Sequence, residues 1–192
     1  MFNAPKAVVL TCAVLLAIHV ARMLLPQEMD TEVYLRLALI PGFLDSGLPY
    51  YWTLFTYALL HADLAHVVIN TAFILAIGTA VARLTSERMF LALFVLSALG
   101  GGVAIYLFSD PQAPTVGASG GLNGLIGAAA VLFYRYRDTD PRAKMMGVMV
   151  VIVVVMNVFL AVTGGSGVSW IGHLGGLAAG LIYGYAALSR ST

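Results

Sequence analysis

The sequence predicts an all-α membrane protein, a bundle of six transmembrane helices, from its composition and from six long apolar windows. Of its 192 residues, 60% are hydrophobic and 10% are charged, whereas about a quarter of the residues in a soluble domain are charged. Each window approaches the ~20 apolar residues that a helix needs to cross a bilayer. The windows cover roughly residues 7–25, 65–84, 89–108, 116–134, 145–163 and 168–188. We therefore expect residues 1–192 to form one domain in contact with the lipid bilayer.

Charge and cysteine content narrow the classes of protein further. The net charge is +1 and the sequence has no basic run, which disfavours a nucleic-acid partner. Cys12 is the only cysteine, so no disulfide can form within the chain. The sequence calls for no cofactor and no metal, and at His61 we favour a structural hydrogen bond over a metal ligand. Lys6 precedes an apolar stretch without a small-residue cleavage site, which favours a retained first helix over a signal peptide.

The basic residues indicate which way the helices cross the membrane. Eight of the ten Lys and Arg residues lie before the first window, around the second and fourth connections and after the last window: Lys6, Arg83, Arg88, Arg135, Arg137, Arg142, Lys144 and Arg190. The other connections hold most of the acidic residues. Because loops rich in Lys and Arg stay in the cytoplasm, we expect an integral protein of a bacterial inner (plasma) membrane with both termini cytoplasmic.

The first connection, residues 26–64, is too long for a simple turn and is expected to carry structure of its own. It contains Pro41 and Gly42 and then an aromatic cluster at Tyr50, Tyr51, Trp52, Phe55 and Tyr57. Because aromatic side chains favour the membrane interface, we expect short helices partly embedded in the outer leaflet. The alternative is an ordinary periplasmic loop.

Three polar residues fall at similar depth in the second, fourth and sixth windows, which all run from outside to inside in this topology. They are His66, Ser119 and His173. Histidine in a membrane span is a functional hypothesis by default, and a serine that can meet a histidine suggests a nucleophile and its base. Because the windows contain no Asp or Glu, the pair would act as a dyad. Asn70 shares the helix face of His66. Taken alone, a serine in such a helix usually bonds back to its own turn.

Glycines indicate which helices touch. In the sixth window Gly172, Gly176, Gly180 and Gly184 recur every fourth residue, and the fourth window carries Gly117, Gly120, Gly121, Gly124 and Ala128. Small residues at this spacing let transmembrane backbones approach closely. We expect the two surfaces to meet and to bring His173 towards Ser119, while Gly175 points away and tolerates substitution better. The alternative is helix packing without a chemical consequence.

Three motifs make this chain resemble the rhomboid family of intramembrane serine proteases over nearly its whole length. The first motif consists of WTLFTY at residues 52–57, HAD at 61–63 and the pair His66 and Asn70. The second is GASG at residues 117–120, and the third is GHLGG at residues 172–176. The resemblance implies a six-helix protease without a cofactor, with Ser119 as nucleophile and His173 as general base. His66, Asn70 and the Ser119 backbone N–H would stabilise the oxyanion. The substrates would be single-pass transmembrane proteins, cut near the outer membrane face.

The resemblance also implies supporting parts. The first connection would rest in the outer leaflet, residues 164–167 would cap the site, and residues 148–155 would act as a substrate gate. Gly117, Gly120 and Gly176 would support the close packing around the dyad.

This chain departs from the family pattern at two places. Many rhomboids have Trp-Arg where this chain has Trp52-Thr53, and Tyr or Phe where it has Asn123. The Asn123 amide lies four residues after Ser119, on the same side of the helix, where it can hydrogen-bond in the site. The orientation of His173 is therefore open.

Two other functions compete with a protease. One is a catalytically inactive rhomboid-like protein that binds transmembrane clients, although such members lose the serine or the histidine and this chain has both. The other is a small transporter or channel, which would need a polar stripe through the bilayer centre. The third and fifth windows offer little beyond Ser97 and Asn157.

Overall fold

The computed structural model describes residues 4–47, 49–162 and 169–189. The helices of these ranges are α1 (Lys6–Met23), α2 (Gln27–Leu37), α3 (Pro41–Asp45), α4 (Thr53–Thr56), a 3-10 turn (Tyr57–Leu59), α5 (Leu64–Leu84), α6 (Glu87–Phe108), α7 (Ser119–Tyr136), α8 (Pro141–Val162) and α9 (Trp170–Ser189). The only β pairing in the described part is one isolated bridge. The predicted all-α class is therefore confirmed.

Four of the described helices are long and apolar enough to cross a membrane: α1, α5, α6 and α8 as far as Phe159. Their outer faces are apolar as well, and α8 exposes Val151, Val155 and Phe159. Helices α7 and α9 have comparable lengths of 18 and 20 residues. The fold is that of a helical membrane protein, and the number of six spans stays a prediction.

Two helices begin three or four residues away from the start of their predicted windows. Helix α7 begins at Ser119, so residues 116–118, which the fourth window included, form a non-helical lead-in. Helix α8 begins at Pro141, because proline suits the first position of a helix. Arg142 and Lys144 therefore lie in the first turn of α8 rather than in the connection before it.

The first connection carries short helices, as predicted, and they are tied to one another and to the approach to α7. The indole N–H of Trp52 donates to the carbonyl oxygen of Arg36 over 2.8 Å. Leu39 and Thr115 exchange two backbone hydrogen bonds of 3.0 and 2.9 Å. This bridge anchors the segment before Ser119 to the first connection. The position of these helices in the outer leaflet stays a prediction.

Helices α7 and α9 meet along their glycines, as predicted. A Cβ atom at Gly176 would overlap the Gly120 carbonyl group, and one at Gly180 would overlap the Gly124 carbonyl group. Lower down, a Cβ at Gly184 would lie 3.2 Å from Ala128 Cα. The backbones are therefore in direct contact at the first two positions and slightly further apart at the third.

The expectation for Gly175 was wrong. A Cβ at Gly175 would overlap Ala104 Cβ and would lie 2.7 Å from the carbonyl oxygen of Gly100, both on α6. Gly172 also faces α6, where a Cβ would lie 2.8 Å from Ile105 Cδ1. Because α9 packs into the angle between α6 and α7, two of its faces need glycine rather than one.

Candidate active site

Ser119 is the first residue of α7, and Gly117 makes the turn that leads into it. Gly117 has a φ of +130°, which residues with a side chain rarely adopt. Its N–H donates to the carbonyl oxygen of Tyr57 over 2.9 Å. Because the first N–H groups of a helix have no intrahelical acceptor, backbone donors and the Ser119 hydroxyl lie at the same helix end.

The His66 ring lies against this turn. A Cβ atom at Gly117 would lie 2.8 Å from both Cε1 and Nε2 of His66, and 3.7 Å from Ser119 Oγ. The His66 ring and the Ser119 hydroxyl therefore both border the position that a side chain at residue 117 would occupy. The structure thus brings together one predicted site residue from α5 and one from α7.

His61 packs against the segment before Ser119 and makes the structural hydrogen bond that was predicted for it. It is 1% exposed, and its Nε2 accepts a hydrogen bond of 3.4 Å from the Ala118 N–H. Its ring meets the His66 ring edge-on, with centroids 5.0 Å apart. Burial, and then the charge of His66, lower the pKa of His61 from 6.5 to about 3. His61 is therefore a neutral acceptor that holds the residue before Ser119.

Arg22, at the end of α1, was missed by the sequence reasoning. Its guanidinium makes a two-point ion pair with Asp30, at 2.7 and 3.1 Å, and donates to the carbonyl oxygen of His61 over 3.2 Å. Arg22 thus connects α1 and α2 to the segment that carries His61. An arginine at the end of an apolar window signals an interface, but no sequence spacing identifies its partners.

His173 lies in the first turn of α9, next to the contact between that helix and α7. The carbonyl oxygen of Gly172 lies 3.6 Å from the position of a Cβ at Gly120, and Gly176 contacts Gly120 directly. In the chain, His173 therefore lies between Gly172 and Gly176, which both approach Gly120, the residue after Ser119. Within the described ranges no hydrogen bond joins Ser119 to His173, so the dyad stays a prediction. The predicted cap at residues 164–167 lies outside the described residues.

The two predicted asparagines of the site bond to their own helices. Asn70 is 3% exposed, and its amide donates to the carbonyl oxygen of His66 over 2.9 Å. The Asn123 amide donates to the carbonyl oxygen of Ser119, also over 2.9 Å. Each amide nitrogen carries a second hydrogen, so the Asn70 amide has one more N–H to donate.

An aromatic contact to His173 comes from a residue that the sequence reasoning missed. Trp170 meets the His173 ring edge-on, with centroids 5.7 Å apart and planes at 69°. The sequence signal for this contact was the i, i+3 spacing of the two residues in one helix. Trp170 thus gives His173 an aromatic neighbour on its own helix.

These features define a polytopic helical membrane protein with a partly buried candidate site made of histidine, serine and asparagine side chains. The model of the Rhomboid domain family matches residues 49–190, which is well over half of the chain. This chain therefore belongs to the rhomboid family, which includes intramembrane serine proteases.

Relatives with the word rhomboid in their names support the same assignment. Rhomboid protease GluP of Bacillus subtilis (strain 168) is 32% identical over 130 residues, which cover 68% of this chain and 25% of the relative. Rhomboid-like protease 3 of Toxoplasma gondii is 32% identical over 79% of this chain and 56% of its own length. Rhomboid-related protein 2 of Mus musculus is 27% identical over 77% of this chain and 54% of its own length. This chain thus spans between a quarter and about half of these relatives.

Proposed function

We propose that this chain is an intramembrane serine endopeptidase in which Ser119 is the nucleophile and His173 the general base. The observation that carries the proposal is the direct contact of α9 with Gly120, which draws His173 towards Ser119. The His66 ring borders the same space as the Ser119 hydroxyl. Both contacts support a site formed by residues of three helices at one end of the bundle.

The proposed mechanism follows from these positions. The Ser119 hydroxyl attacks the peptide carbonyl carbon while Nε2 of His173 takes its proton. The oxyanion accepts hydrogen bonds from the Ser119 N–H and from the side chains of His66 and Asn70, and such donors are worth about 3–4 kcal/mol each in a water-excluded site. Collapse expels the amine, which takes the proton from His173, and water then hydrolyses the acyl group on Ser119.

The substrates in this proposal are single-pass transmembrane proteins, cut near the outer face of a bacterial inner membrane. The distribution of Lys and Arg supports that orientation, because it places the start of α7 in the outer leaflet. A site near one face also has access to the water that deacylation consumes.

Reporter cleavage tests the proposal directly. The chain is reconstituted in liposomes with a panel of single-pass reporter proteins, and Ser119→Ala and His173→Ala are each expected to abolish cleavage. Ser97→Ala is the matched control, since Ser97 is a helical serine on the neighbouring α6 and is 1% exposed; this variant is expected to cleave normally. A fluorophosphonate probe should label the wild type and Ser97→Ala but not Ser119→Ala.

Two results would overturn the assignment. The first is cleavage retained by Ser119→Ala or His173→Ala in preparations free of other proteases. The second is a folded wild-type chain that binds the reporters and cuts none of them, as expected of a catalytically inactive rhomboid-like protein.

A further inference from the structure

A cavity beside His173 is not used by the proposed mechanism. It has a volume of about 150 Å³ and lies between α7, α8 and α9. Its walls are mostly apolar, and the polar side chains among them are those of Asn123, Asn157, Trp170 and His173. Asn157 is also the one polar side chain of α8 beyond its first turn.

His173 has an unpaired polar atom. Nδ1 of His173 is buried and has no hydrogen-bond partner among the described residues. A general base needs the lone pair on Nε2, so the proton of the neutral ring must sit on Nδ1. In serine hydrolases with a third member, an acceptor at Nδ1–H fixes this tautomer. The described residues provide no carboxylate for that role at His173.

The two asparagines provide the acceptors. The amide nitrogen of Asn157 donates to the carbonyl oxygen of Val153 over 2.9 Å, and that of Asn123 donates to the carbonyl oxygen of Ser119. Each amide is therefore oriented by its own helix, and its carboxamide oxygen is left to accept. Trp170 offers only a donor.

We propose that Asn157 is a positioning residue for His173, acting with Asn123 through one water molecule in this cavity. The water accepts the Nδ1–H of His173 and donates to the two carboxamide oxygens. Buried waters typically make about three hydrogen bonds and occupy ~30 Å³, and this cavity has both the partners and the room. The role assigned to the two asparagines rests on the proposed function, because it matters only if His173 is a base.

The tautomer of His173 tests the proposal without any need for activity. In the intact chain with ¹⁵N-labelled histidine, the His173 signals are identified by their loss in His173→Ala. At pH 8 the wild type should show the proton on Nδ1, and Asn157→Leu should shift the ring towards the Nε2–H form. Val158→Ala is the control, because it alters an apolar wall of the same cavity and keeps both amides; it should leave the tautomer unchanged. A wild type with its proton on Nε2, or no change in Asn157→Leu, overturns the proposal.

Kinetics give a second measurement. Asn157→Leu is expected to lower kcat about 10–100-fold with KM unchanged. The reason is that general-base catalysis accelerates the reaction about 10²–10⁴-fold, and a misoriented His173 loses part of that acceleration. Val158→Ala should cleave as the wild type does. A kcat in Asn157→Leu equal to that of Val158→Ala contradicts the proposal. If the wild type and Ser119→Ala show the same cleavage, the protease assignment fails, while the tautomer experiment still decides the role of Asn157.

Discussion

The contact between α9 and α7 gives the sharpest test of how packing and chemistry are connected. In Gly176→Ala the new Cβ overlaps the carbonyl group of Gly120, the residue after Ser119. A backbone carbonyl cannot rotate aside as a side chain can, so α9 must move away by roughly 1 Å. A displacement of that size near a nucleophile and its base costs about 100-fold in rate. We therefore expect kcat/KM to fall about 100-fold.

Gly184→Ala is the matched control on the same helix face. Its Cβ would lie 3.2 Å from Ala128 Cα and 3.4 Å from Ala128 Cβ, so a shift of a few tenths of an ångström accommodates it. Overpacking of a well-packed core typically costs about 1–3 kcal/mol, and this substitution should fall at or below the lower end. Its cleavage rate should stay within a few-fold of the wild type.

The assay is the cleavage of a membrane-anchored reporter in liposomes, measured together with thermal unfolding. Gly176→Ala should lose activity and thermal stability together, and Gly184→Ala should lose little of either. The reasoning is refuted if a folded Gly176→Ala cleaves as fast as Gly184→Ala. In that case the glycine contact would not determine the position of His173.

Other measurements address the oxyanion, the orientation and the pH dependence. His66→Ala and Asn70→Ala should each lower kcat about 10–1000-fold, less than Ser119→Ala, because each removes one donor of several; an unchanged rate in Asn70→Ala would leave Asn70 with a packing role. In a Cys12→Ser background, Asp110→Cys should react with an impermeant thiol reagent in intact cells and Asp138→Cys should not, and the opposite pattern would contradict the topology. The pKa of His61 is lowered from 6.5 to about 3, so the unfolded chain takes up a proton at a pH where the folded chain does not. The free energy of unfolding should therefore fall as the pH drops below 6.5, by about 1.4 kcal/mol per pH unit from this group, and His61→Gln should flatten that slope in unfolding measurements; equal slopes would count against a neutral His61.

The order of the helices and a set of candidate site residues could be predicted from the sequence, because both depend on local pattern. About twenty apolar residues in a row fold as a helix in a membrane, since backbone groups must bond within the segment. Glycines spaced by four fall on one helix face, and the contact of Gly176 and Gly180 with α7 followed from that spacing. His66 and Ser119 were paired from their matched depth, and the structure shows them bordering the same space.

What only the tertiary structure decided is the set of contacts between groups far apart in the chain. Periodicity locates a residue on its own helix but does not give the number of helices around it. Gly175 was therefore expected to tolerate substitution better than Gly176, whereas it packs against α6. The bonds from Arg22 to Asp30 and to His61 depend on where a non-helical segment passes the end of α1, and no repeat in the sequence encodes that path. The same holds for the cavity that His173 shares with Asn157, because its walls belong to three helices. Sequence determines which groups can react, and the packing of helices determines which of them meet.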